Sequence, residues 1–154
     1  MAFHARISVK GAKQGQFKGE SLSRDSKDFW IPVGAFSMGL KSPRDVASGL
    51  ASGKVQFAPI TVTKNWGPAS PQGLSACATN ETLTTVVAEF VRTNATGEEF
   101  VSQRVTLTDA AISEVRRLAG NPGDTEEWSL VFRKIKVEDK DGDTAFIGDW
   151  PGHA

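Results

Sequence analysis

The residues of this chain that could do chemistry are few, and their spacing speaks against catalysis. The two histidines, His4 and His153, stand at opposite ends of the chain, and Cys77 is its single cysteine. A Cys–His nucleophile needs a base and an orienting group around one pocket. His4 falls among the polar positions of a strand, His153 lies in a tail, and a small cysteine on a helix is usually a core hydrophobe. A zinc site needs several Cys or His ligands close together, and the supply is too small. The acidic pairs Glu98-Glu99 and Glu126-Glu127 fall at turn or strand edges and read as solvated charge.

Two glycine- and aspartate-bearing stretches imitate ligand loops without matching them. In Asp139-Lys140-Asp141-Gly142-Asp143, oxygens two residues apart could converge on calcium. However, glycine stands at loop position 4 instead of 6, and Trp150 occupies the place of the bidentate glutamate. Asp-Gly is here a hairpin turn. Gly11, Gly15 and Gly19 fit neither the dinucleotide nor the phosphate-loop pattern, and no helix follows them. The aromatic stretch FWIPVGAFSMGL (29–40) has no basic groove beside it, so it reads as core and not as a base-stacking platform. No catalytic residue, cofactor-binding residue or metal ligand is expected.

Composition narrows the class further. At 154 residues, 39% hydrophobic and 23% charged, the chain reads as one soluble domain spanning 1–154. No apolar run is long enough to cross a bilayer. MAFHARISVK has early charges and no apolar leader core, so no cleaved signal peptide is expected. One cysteine excludes an intrachain disulfide and suits a reducing cytosol. Zero net charge argues against nucleic acid and anionic membranes as partners. Residues 1–64 nevertheless carry ten basic and four acidic residues, a net +6, and residues 65–154 carry eight and fourteen, a net −6. Opposite charges of this kind can steer head-to-tail contacts between copies.

The elements that position these residues are mostly strands. Phe3, Ala5, Ile7 and Val9 alternate with polar residues as a half-buried strand. In GKVQFAPITVTKNWGPASPQGLSACAT (53–79), Val55 and Phe57 share one face and Ile60 and Val62 the other. Pro59 lies between them, which marks a bulge or a sheet edge. Ser70 followed by Pro71 fits a helix N-cap with proline at the first position. Leu74 and Cys77 then supply the apolar stripe by which a two-turn helix docks on a sheet. Residues 81–92 and 99–108 form a hairpin about Asn94-Ala95-Thr96-Gly97. DAAISEVRRL (109–118) has helical spacing. Trp128, Leu130 and Phe132 alternate, and the pattern then flips to Ile135 and Val137, implying another bulge. Thr144 to Ile147 make the last strand, and Trp150 of the tail is expected to dock on the body.

That order of elements, with the glycine-lysine strand, the Ser-Pro helix start and the Ala-Cys helix end, resembles the haemolysin-coregulated protein (Hcp) family of type VI secretion tubes. MAFHARISVKG with its Gly-Glu-Ser loop, and SKDFWIPVGAFSMG, are similar to the family's first two strands. The resemblance implies a mainly β fold: two packed sheets in a barrel-like sandwich with one short α-helix. It implies a strand through 109–118, against the local helical spacing. It also implies six copies in a ring, rings stacked into a tube, and sheath, spike and effector partners. The protein would be cytoplasmic before firing and secreted afterwards, with effectors held in the lumen. The loop KSPRDVASGLASG (41–53) is long for a hairpin. In the family it reaches a neighbouring subunit, which makes Lys41, Arg44, Asp45, Val46 and Leu50 the expected inter-subunit or inter-ring contacts. Two other readings stand beside this one: the tail-tube protein of a phage or related injection particle, and a monomeric β-barrel binding a small ligand.

Overall fold

The computed structural model describes residues 3–20, 29–121 and 123–150. Its elements in chain order are β1 (Phe3–Gly11), β2 (Gly15–Gln16), β3 (Ile31–Val33), β4 (Ala35–Lys41), β5 (Gln56–Asn65), α1 (Ser70–Thr79), β6 (Leu83–Thr93), β7 (Glu99–Ala119), β8 (Asp124–Asp139) and β9 (Thr144–Asp149). The mainly β class with one helix is therefore met. The strands join in a single antiparallel sheet of nine, ordered β2-β1-β6-β7-β8-β5-β4. β3 is added on β1 and β9 on β8. β3 pairs with β1 and β4 with β5, yet only Gly34 separates them, and its N–H donates to Thr63 O at 2.7 Å. One residue thus carries the chain between the two ends of the strand order. The ladder does not close, but the sheet must curl into a barrel-like form to allow this.

Alternation decides what faces inward. Ala5, Ile7 and Val9 are buried, as are Phe57, Ile60 and Val62, and Trp128, Leu130, Phe132 and Ile135. These side chains pack together inside the curl as one hydrophobic core among the described residues. The bulge expected at Pro59 is present: Ser37 pairs with Thr61 and Gly39 with Ala58, so β5 holds an extra residue there. Proline has no N–H for a ladder, and β5 pairs with β8 only from Ile60 onward. Beside the other half of β8 lies β9.

The phase change in β8 takes a form that the alternation alone does not give. Phe132 and Ile135 are buried three apart, and across the ladder so are Ala110 and Leu107. Both strands make the same jog, so their register does not shift there. Asp109 absorbs it with φ of 51°, and its carboxylate meets Arg133 at 3.0 Å. Residues 109–118 lie within β7, as the resemblance implies and their helical spacing does not. Sheet pairing on both flanks overrides local propensity here. Trp150 docks as expected, stacked on Phe57 with centroids 6.1 Å apart and edge-on to Phe132.

Candidate assembly site

Unpaired strand edges and the loop between β4 and β5 are the exposed features of the sheet that stand out among the described residues. The loop is not a slack connection. Asp45 N–H donates to Leu50 O and Gly49 N–H to Asp45 O, each at 2.8 Å, and Ser52 N–H donates to Pro43 O. Arg44 and Ala51 form a β-bridge, and Asp45 Oδ1 accepts from Ala47 N–H at 2.9 Å. Gly49, with φ of 73°, supplies the left-handed step that closes the turn. The loop is thus a small hairpin in its own right, and its entropy of ordering is met within the chain. Lys41 ends β4, and Arg44 and Asp45 flank the turn. Val46 is wholly exposed and Leu50 is 68% exposed. All five expected contact residues lie on one arm, and its two apolar side chains project into solvent.

Of the strand edges without a partner among the described residues, two flank one part of the sheet. β4 pairs with β5 alone. β7 pairs with β6 only as far as Ala110, so its remaining residues up to Ala119 pair with β8 and with nothing on the other side. β4, β5, β8 and the end of β7 therefore make a four-strand run with an open edge at each flank. Its solvent face is mixed: Thr61 pairs with Ser129, and Thr63 with Glu127, which stands across the ladder from Arg116.

The helix is seated differently from the sequence reading. Leu74 is 44% exposed and does not dock it, whereas Cys77 is half-buried and packs against the core. The buried positions are Ser70, Gly73 and Ala76. Gly73 lies so close to the Trp128 ring that a Cβ would overlap it. A helix this near a large aromatic docks by its small residues, which apolar periodicity undervalues. Nor does Ser70 cap the helix: the N-cap is Ala69, with no side-chain cap bond.

Ser70 instead joins a buried charge cluster that the sequence reading missed. Lys64 Nζ donates to Glu126 Oε1 at 2.7 Å, to Ser70 Oγ at 3.0 Å, and meets Glu20 Oε1 at 3.0 Å. Ser70 Oγ also donates to Glu126 Oε1, and Glu20 Oε2 accepts from Ala69 N–H at 2.8 Å, at the helix start. Glu126 is therefore not solvated charge, although its neighbour Glu127 is exposed. The signal lay in the phase: Lys64 follows Val62, and Glu126 precedes Trp128, at the two-residue step that points inward. A second carboxylate, Glu81, ties the β1–β2 turn to the helix end. Burial pushes its pKa up, but N–H donors from Gln14 and Lys13 outweigh this and hold it below the usual carboxylate range.

Among the described residues no cluster of His, Cys, Asp and Glu could hold a metal, and no helix is long and apolar enough to cross a membrane. His4 is exposed on β1, and His153 lies outside the described residues. The arrangement as a whole is a curled sheet with open edges and a projecting arm.

Comparison with known proteins agrees with that form. The family model described as type VI secretion system effector, Hcp, matches residues 7–138. The major exported protein of Pseudomonas aeruginosa is 29% identical over 97% of this chain and 96% of its own length. Among solved structures, one described only as Hcp protein superposes with a TM-score of 0.91 at 23% identity, covering 99% of this chain and 100% of its own. The Hcp1 protein of E. coli gives 0.87 at 23% identity, covering 97% and 99%. The secreted protein Hcp3 of P. aeruginosa gives 0.80 at 23% identity, covering 98% and 100%.

Proposed function

This chain belongs to the Hcp family of type VI secretion proteins, and from that premise we propose that it is the structural subunit of the inner tube. Six copies close into a ring, and rings stack into a tube that is expelled by a contracting sheath. The observation that carries this reading is the pair of open edges flanking the β4-β5-β8-β7 run. An unpaired strand edge is a template for another strand. The two edges differ, so joining one to the other is heterologous. Repetition of such a contact does not stop at two copies, and it closes a ring where the rotation between copies returns to the start, as the six-fold reading requires.

The role is mechanical, with no reaction assigned to the chain. In this reading the protein waits in the cytoplasm and leaves with the tube. The solvent face that carries Thr61, Thr63 and Ser129 is the wall offered to effectors in the lumen. Sheath, spike and effector proteins are the further partners of this reading. The loop arm, through Lys41, Arg44, Asp45, Val46 and Leu50, makes the contact between rings. Replacing residues 41–53 by a short Gly-Ser turn tests this. The variant should fold, form rings, and fail to make tubes under electron microscopy or to be exported. Normal tubes and export would leave the arm a passive connection.

A further inference from the structure

The loop arm and the turn joining β7 to β8 lie at opposite ends of the same sheet. Lys41 pairs with Gln56 at one end of β5, and Asn65 pairs with Thr125 of β8 at the other. Ten residues of strand at about 3.3 Å each separate the two ends by roughly 30 Å. If copies join laterally by strand edges, strand ends face along the stacking axis. The arm of one ring is then presented to the β7–β8 end of the next.

That end carries a shallow groove lined by Thr63, Arg116, Leu118, Thr125 and Glu127. Leu118 is 75% exposed, more than any other large hydrophobic residue outside the arm among those described. Arg116 is also largely exposed, with only a loose 3.7 Å approach to Glu114. It stands directly across the ladder from Glu127. Arg117 and Glu126 also line the groove but are held by Asp124 and Lys64, which leaves one apolar side chain, one cation and one anion to offer a partner. The arm offers the same three types with the charges exchanged: Val46 at its tip, with Asp45 and Arg44 immediately before it.

We infer that the Arg116–Leu118–Glu127 groove receives the loop arm of a second copy in the adjoining ring. Val46 packs on Leu118, Asp45 meets Arg116, and Arg44 meets Glu127. This rests on the ring reading above and adds the receiving surface. Apolar contact fixes the seat, and the two charge pairs fix register and polarity, because an inverted ring would oppose groove to groove. The arm arrives already folded by its own hydrogen bonds, which lowers the entropy lost on docking.

Engineered cross-links test the seat directly. In the Val46→Cys, Leu118→Cys double variant, mild oxidation should give a ladder of covalent species well beyond the dimer on a denaturing gel. Each variant with only one of the two added cysteines, Cys77 being present throughout, should stop at the dimer. Adding Arg116→Glu should remove most of that ladder, and adding Asp45→Arg as well should restore it. All of these side chains are exposed and Asp45→Arg gives up only the Ala47 N–H bond within the arm, so the folded domain should be unaffected, and unchanged thermal melting checks this. A double variant that gives no more than the singles overturns the proposal, as does a ladder indifferent to Arg116→Glu. Failure here with ring mass intact refutes the groove alone. A monomeric mass for the unmodified protein refutes the ring reading beneath it.

Discussion

Lys64 Nζ lies 2.7 Å from Glu126 Oε1, and both side chains are completely withdrawn from solvent. Glu20 joins them at 3.0 Å from a segment far away in sequence. One ammonium group therefore pins together the loop after β2, the end of β5, the start of α1 and the start of β8. Such a cluster sits at the helix start as a polar fastening beside the apolar core.

Removing the lysine should be severe. Lys64→Met strands two carboxylates, one of them fully buried. Breaking a buried pair from one side costs about 3–5 kcal/mol. Replacing both partners, as Lys64→Met with Glu126→Leu, should cost less than the sum of the single changes, because no uncompensated charge is left between those two. Urea unfolding of the three variants measures this, and simple additivity would contradict the coupling.

The helix seat separates small residues from large ones. Gly73→Ala should destabilise by about 1–3 kcal/mol, since the added methyl overlaps the Trp128 ring and forces repacking. Leu74→Ala, at a position 44% exposed, should change the melting temperature little. If Leu74→Ala proves the more damaging of the two, the seating described here is wrong.

Acid sensitivity should pass through Glu81. Its folded-state pKa lies below the ordinary glutamate value, so the unfolded chain binds the proton more readily. The stability it contributes is complete above the unfolded value of about 4.3 and is lost as pH falls through the lower folded value. Glu81→Gln should therefore be less stable at neutral pH and show a shallower fall in stability below about pH 5. Denaturant unfolding across that range measures both slopes, and parallel curves for variant and wild type would contradict the assignment.

Much of the fold was legible from alternation. β1, the jog at Pro59 and the β6–β7 hairpin follow from residue order alone, because a half-buried strand must alternate. The end of β7 was legible only through family resemblance. Ala111, Ile112, Val115 and Leu118 keep helical spacing, yet the flanking ladder holds them in a strand. The helix seat and the charge cluster were harder to read. Gly73 and Ala76 carry no apolar weight in a periodicity, and the meaning of Lys64 and Glu126 depends on partners supplied by distant segments. Val46 and Leu50 were legible as unsatisfied apolar residues in a polar loop. Arg116, Leu118 and Glu127 were not, because only the register of β7 against β8 brings them together.

The ring is the centre of this account, and the mass of the protein in solution tests it most directly. Each chain is 16.5 kDa, so a closed ring of six should weigh about 99 kDa. Light scattering coupled to size exclusion at micromolar concentration should give that value or an integral multiple of it. A single monodisperse species at 16.5 kDa would contradict the tube-subunit reading.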